Sequence, residues 1–223
     1  EEVFRTLMDL VVHRLPGFGD YHALRDIQVL SPMRKGAIGV NQLNVELQSV
    51  VNPPASFKKE KTYRETVFRQ GDKVMQIRNN YKLQWSRPGS KEKAVEGEGV
   101  FNGDMGFIRD IDEEEQTLTV LFDEDKTVVY DFSQLDELEL AYAVTIHKSQ
   151  GSEFPVVVIP LVSGPPMLMT RNLLYTGVTR ARKLVVLVGK EKVIRQMVAN
   201  NHIAKRYSGL STRLKLAYGM AGV

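Results

Sequence analysis

Apolar residues recur at helical spacing over residues 3–15 (VFRTLMDLVVHRL), and Pro16 marks the expected stop. Residues 26–32 (DIQVLSP) predict a short buried strand that ends at a proline. GVNQLNVELQSVVNP, at 39–53, reads as an amphipathic helix closed by Asn52-Pro53. The charged stretch 55–66 predicts a loop, and 67–81 predicts two short strands around Gly71-Asp72. Residues 86–99 are polar and glycine-bearing and read as a connection.

The texture changes from Val100 to Leu138. GFIRDID, TLTVLF and KTVVYDF alternate apolar and polar positions as strands do, with turns at Asn102-Gly103 and Asp123–Asp125. Several short strands in so little chain predict a small antiparallel barrel; the competing reading is a hairpin insertion on a larger sheet. After it, 139–151 predicts a helix stopped by Gly151, and PVVVIPL (155–161) a strand buried on both faces. A helix at 170–182, a strand at 183–189 and a helix at 190–201 follow, then a basic tail. This alternation implies an α/β fold, a parallel sheet flanked by helices, with the β unit inserted into it. The expected division is 1–85 for the first part of the α/β domain, 86–138 for the insertion with its leading linker, and 139–223 for the remainder.

Composition narrows the chemistry. The 223 residues hold 30 Lys+Arg against 27 Asp+Glu, a net charge of +3 that does not by itself demand a polyanion. The absence of cysteine excludes disulfides, thiolate metal sites and cysteine nucleophiles. No apolar run approaches the ~20 residues of a membrane span, and no signal peptide is evident, so a cytoplasmic protein with no membrane partner is expected. No carboxylate cluster suggests a nuclease metal site. The chain opens on Glu1 and reads as a piece of something longer.

The densest polar cluster is His147, Lys148, Ser149, Gln150 and Glu153, immediately before the apolar strand at 155–161. Ligands of open parallel sheets bind at such edges. Gly151 permits close approach of backbone, Glu153 suits a sugar hydroxyl, and His147 and Lys148 suit phosphates. Each also has a plainer reading: a histidine satisfied in the core, or a glutamate in solvent.

TIHKSQGSEFPVVVIPL, followed by LLYTGVTRARKLVVLVG, resembles helicase motifs V and VI of superfamily 1, in the right order and at the right separation. VLSPMRKGAIGVNQLN (29–44) resembles motif IV of the RecD-like branch, and FRQGDKVMQIRNNY and VFNGDMGFI resemble the segments that enter and leave its SH3-like insertion. The likeness runs from Ile27 to Gly189 and is to the C-terminal part of RecD-like ATP-dependent DNA helicases, kin of exodeoxyribonuclease V alpha chains. It implies a RecA-like parallel sheet with an inserted SH3-like β-barrel.

It also implies roles. Arg180 matches the motif VI arginine that reaches the γ-phosphate of ATP, where a fixed cation stabilises charge on the transferred phosphoryl group. Arg34 matches a motif IV arginine expected near the same phosphate. Gly151 and Glu153 match the group that contacts the ribose. Thr145 and His147 match positions that face single-stranded DNA, with Lys148, Ser149 and Gln150 between the two sites and coupling them. Arg182 reads as a cation at a helix C-terminus, and Phe154, Tyr142 and Tyr175 as core aromatics before base-stacking ones.

No G-x-x-x-x-G-K-[ST] occurs, and FDEDK (122–126) falls in a hairpin turn rather than at the end of a parallel strand. In the family those parts, which hold ATP with Mg²⁺, belong to an N-terminal RecA-like domain. The expectation is therefore half a 5′–3′ motor, inactive alone, whose partners are single-stranded DNA and that N-terminal domain. Two other readings compete: a non-enzymatic module binding nucleic acid or protein through the barrel, and a different nucleotide-dependent enzyme on a parallel sheet, for which no G-x-G-x-x-G speaks.

Overall fold

The computed structural model describes residues 2–88, 95–122, 125–202 and 209–218. Helix α1 (Glu2–Asp9) runs through a widened π-type turn (Leu10–Arg14) into α2 (Leu15–Gly19). The helical run therefore passes the expected stop at Pro16. That proline sits in the first turn of α2, where a missing N–H is tolerated, and the run ends instead at Asp20, whose φ is 55°. Strand β1 (Ile27–Ser31) and helix α3 (Val40–Val51) follow as the hydrophobic pattern requires.

The next strands are β2 (Glu60–Tyr63), β3 (Thr66–Arg69), β4 (Lys73–Gln76), β5 (Asn80–Arg87), β6 (Val95–Val100), β7 (Met105–Asp112), β8 (Thr117–Phe122) and β9 (Lys126–Asp131). A 3-10 turn (Phe132–Glu137) leads to β10 (Leu138–Leu140) and β11 (Ala143–Thr145). Then come β12 (Phe154–Leu161), α4 (Arg171–Val178), β13 (Ala181–Gly189), α5 (Glu191–Ala199) and α6 (Leu210–Ala217).

Four strands form a parallel sheet in the order β11-β1-β12-β13. Every residue of β1 and all but one of β12 are buried, because helices cover both faces. On one face Leu7, Leu10, Val11, Leu43 and Leu47 pack on Val29, Val156 and Val158. On the other Leu173, Leu174, Val193 and Met197 pack on Leu30, Val157 and Ile159. The insertion is an antiparallel sheet of seven strands, β10-β4-β7-β8-β9-β5-β6. Its inward positions, among them Ile108, Ile111, Leu118, Val120 and Tyr130, are almost fully buried.

Four expectations need correction. The insertion recruits β4 and β5, so it begins well before residue 86, and a boundary there would cut β5 in two. The stretch 86–99 ends β5 and begins β6; its middle, 89–94, lies outside the described residues, as do Asp123 and Glu124 of the expected turn and residues 203–208 and 219–223 of the basic tail. The charged stretch 55–66 contributes β2, paired with β3 in a separate hairpin.

The helix expected over 139–151 is instead two strands and a turn. Leu138–Leu140 pair with β4 in the insertion, and Ala143–Thr145 pair with β1 in the parallel sheet. Pairing to both sheets outweighs the local helical pattern. Where the chain steps from one sheet to the other, polar side chains hold its backbone. Asn44 Nδ2 donates to the carbonyls of Leu140 (2.8 Å) and Ala143 (3.0 Å), and its Oδ1 accepts from Ala143 N (2.8 Å). Gln28 Nε2 donates to the carbonyls of Ala141 and Tyr142. The buried carboxylate of Asp72 accepts from Tyr142 Oη, Asn52 Nδ2, Gln48 Nε2 and Arg69 N, fastening the β3–β4 turn to α3 and to the step. No described helix is long and apolar enough to cross a membrane.

Candidate functional site

A parallel sheet has one edge where every strand begins and one where every strand ends. Ser31 pairs with Thr145, so β1 and β11 leave the sheet together at its carboxyl edge. Ile27 is level with Val156, and Phe154 with Ala181, so β12 and β13 enter at the amino edge. From the level of Ser31 to that of Phe154 is about 20 Å at the strand rise. The polar stretch 146–153 carries the chain across that distance, in a tight coil held by Ser149 N to Thr145 O, Gln150 N to His147 O and Ser152 N to Ser149 O. It spans the two edges, which is why so many polar groups precede a buried strand.

Arg180 stands at the amino edge. Helix α4 is capped by Thr170, whose Oγ1 accepts from Leu173 N (3.2 Å), and lies close against the sheet because Gly177 faces Ile159 and Ile146. A Cβ at Gly177 would meet Ile159 Cδ1 at 2.9 Å. Arg180 follows the helix end, and its carbonyl accepts from Phe154 N (2.8 Å). Its half-buried guanidinium donates to Thr176 O (3.2 Å), Ser152 O (3.2 Å) and Thr179 Oγ1 (3.3 Å). All three acceptors are neutral, so the side chain is oriented and its charge is left uncancelled.

Beside it, Arg182 is the second residue of β13 rather than a helix-terminal cation, because Ala181 has already joined the sheet opposite Phe154. Its Nε donates to Glu153 Oε2 at 3.0 Å. The pair is more than half exposed on both sides and holds Glu153 only weakly. Gly151 has φ +91°, with open space where a Cβ would stand; the turn requires the left-handed backbone there.

Arg34 does not converge on Arg180. It lies three residues beyond β1, at the carboxyl edge, where its guanidinium pairs with Glu139 of β10. The other oxygen of that carboxylate accepts from Lys148 Nζ (2.9 Å). Burial alone would raise the Glu139 pKa, but Lys148 and Arg34 outweigh it and hold the carboxyl below its usual range. Glu139 escaped the sequence reading; only the alternation of Leu138, Glu139 and Leu140 hinted that it faces away from the core.

Thr145 Oγ1 accepts from Lys148 N (3.3 Å), while His147 and Gln150 are exposed on the same turn. Ser149 is fully buried and its hydroxyl donates to Ile146 O (2.8 Å), which makes it part of the coil rather than a ligand group. Phe154 and Tyr142 are buried, whereas Tyr175 is 69% exposed on α4 and is no core residue. Among the described residues no three His, Cys, Asp or Glu gather as a metal site.

Residues 43–122 match the family model described as the ATP-dependent RecD-like DNA helicase SH3 domain, and residues 140–188 that of the UvrD-like helicase C-terminal domain. The chain belongs to the RecD-like helicases. An ATP-dependent RecD2 DNA helicase of Deinococcus radiodurans is 36% identical over 156 residues, 70% of this chain and 19% of that protein. An uncharacterized protein of Methanocaldococcus jannaschii is 31% identical over 214 residues, 90% of this chain and 18% of its own length. The RecBCD enzyme subunit RecD of Mycobacterium tuberculosis is 44% identical over 82 residues, 37% of this chain and 14% of that one. The chain thus spans less than a fifth of the length of each of these three relatives. A Bacteroides Pif1 helicase, solved in complex with ADP-AlF3 and ssDNA, aligns over 100% of the chain and 55% of its own, with a TM-score of 0.49 and 16% identity.

Proposed function

We propose that this chain is the second motor domain of an ATP-dependent DNA helicase, working against an N-terminal RecA-like domain of the same full-length protein. The observation that carries the reading is Arg180, a guanidinium oriented by three neutral oxygens at the sheet edge where β12 and β13 begin. An oriented, uncancelled cation is what a transferring phosphoryl group needs from across a cleft.

In this reading ATP lies against the amino edge. Arg180 faces its γ-phosphate. Glu153 exchanges its weak pairing with Arg182 for a ribose hydroxyl, beside the turn at Gly151. Mg²⁺, which neutralises phosphate charge, is held by the P-loop half, so the chain alone hydrolyses no ATP. Thr145, His147, Lys148 and Gln150 face single-stranded DNA at the carboxyl edge. Arg34 joins them through Glu139 instead of reaching the phosphate. The coil at 146–153 joins the two edges, so closing the cleft around ATP shifts the grip on DNA, and alternating grips move the protein 5′ to 3′.

The test is DNA affinity without nucleotide, measured on the full-length helicase with a fluorescent oligonucleotide. Thr145→Ala/His147→Ala should weaken binding about tenfold, a loss of about 1.4 kcal/mol. Arg180→Ala should leave it unchanged. Equal loss in both variants would refute the division of labour between the two edges.

A further inference from the structure

A second surface is rich in positive charge, and neither the nucleotide edge nor the DNA edge proposed above uses it. A groove of about 520 Å³ runs between the loop before β1, the end of α3 and the outer side of β7 and β8. Four of its lining residues are basic: His22, Arg25, Lys58 and Arg109. None of the lining residues is acidic. Among the described residues no carboxylate lies within ion-pair distance of these four side chains.

The nearby acids are occupied elsewhere. Asp110 pairs with Lys59 (3.1 Å), Glu60 pairs with Arg69, and Asp26 Oδ2 accepts from His22 N (2.8 Å). Lys58 Nζ donates to Asn52 Oδ1 (2.6 Å) and Pro53 O (3.0 Å), both neutral, so it is fixed in place and keeps its charge. His22 Nδ1 accepts from Leu24 N (3.2 Å), which leaves Nε2 as the donor. On the rim Phe57 is 79% exposed, with Lys58 Nζ 5.9 Å from its ring centre.

We propose that this groove is a second contact for single-stranded nucleic acid, separate from the carboxyl-edge track, with the phosphodiester backbone along Arg25, Lys58 and Arg109 and a base stacked on Phe57. Uncancelled cations arranged along a groove beside an exposed ring are the recurring elements of sequence-tolerant single-strand binding. The position separates it from the first contact. Residues 22–25 enter β1 and Asn52 closes α3, so the groove lies at the amino edge, on the face that carries α1 and α3. Arg180 lies on the same edge but arrives from α4 on the opposite face. A strand held here is about a sheet's depth away from Thr145 and His147.

The test uses the full-length helicase without nucleotide and two fluorescent oligothymidylates, one of about 8 nucleotides that fills a single contact and one of about 40 that reaches both. Arg25→Ala/Arg109→Ala should weaken the long strand about tenfold and reduce its logarithmic salt slope by about 1.4, the share of two phosphate contacts on a single strand. The charge-reversed Arg25→Glu/Arg109→Glu should weaken it further, and Phe57→Ala should weaken it without changing the slope. Thr145→Ala/His147→Ala should weaken both strands, which keeps the fate of the carboxyl-edge reading distinct. Unchanged affinity and slope for the long strand in the groove variants would overturn the inference. So would normal DNA binding combined with lost binding of a polyglutamate peptide, which would make the groove a seat for acidic protein.

Discussion

Replacing Lys73 with methionine should stabilise the chain near neutral pH and lose that advantage in alkali. Lys73 lies on β4, where the insertion meets the parallel sheet, and is only 5% exposed. Its ammonium is 5.7 Å from the centre of the Phe154 ring, and among the described residues no carboxylate is paired with it. Burial pushes its pKa from 10.5 down to about 8, against a smaller opposing pull from Asp26. That shift corresponds to about 3 kcal/mol against the folded chain at pH 7, where Lys73 must be charged in both states. The contact with Phe154 returns about 1 kcal/mol, so Lys73→Met should gain about 2 kcal/mol at pH 7. The sign follows from proton counting. Between about pH 8 and 10.5 the unfolded chain keeps a proton that the folded chain has lost, so wild-type stability rises with pH there and the advantage of methionine shrinks towards zero. Tyr130 and Tyr142 pull the other way above their ordinary range, since burial raises both, but they act equally in both proteins and drop out of the difference. Urea unfolding at pH 7 and about pH 9.5, followed through Trp85, the single tryptophan, measures it. A methionine variant less stable than wild type at both pH values would refute the reasoning.

Three further substitutions test the junction and the insertion. Asn44→Ala orphans two carbonyls and one N–H at the step between sheets and should lower stability by about 2–4 kcal/mol, read as a reduced urea midpoint. Asp72→Ala leaves four buried donors without their acceptor and should cost about 3–5 kcal/mol, with amide exchange faster in both β4 and α3. Gly97→Ala would set a Cβ 2.3 Å from Cζ2 of Trp85, so it should cost about 1–3 kcal/mol and shift the tryptophan emission.

Much of this architecture is legible in the residues. The short segment 27–31 and the continuous apolar run at 155–161 are strands covered on both faces, and the alternation through 105–131 is the antiparallel insertion. What periodicity hides is pairing. Residues 138–145 look helical because Leu, Ala and Val recur there, yet each short half finds an edge on a different sheet. Arg34 fits a phosphate role by motif alone; only the register of β1 against β12 puts it a sheet's depth from Arg180. Asn44 carries no local signal and Glu139 only its alternation with Leu138 and Leu140, because their roles exist only once distant strands meet. Ser149, expected between the two sites, spends its hydroxyl on Ile146 O within the coil that joins the two edges.

The most direct test of the account is the turnover number for DNA-stimulated ATP hydrolysis by the full-length helicase carrying Arg180→Ala. If Arg180 supplies transition-state charge from the amino edge, kcat should fall by about a thousandfold or more, with single-strand affinity intact. Turnover within a few-fold of wild type would contradict the assignment and remove the nucleotide from this edge of the sheet.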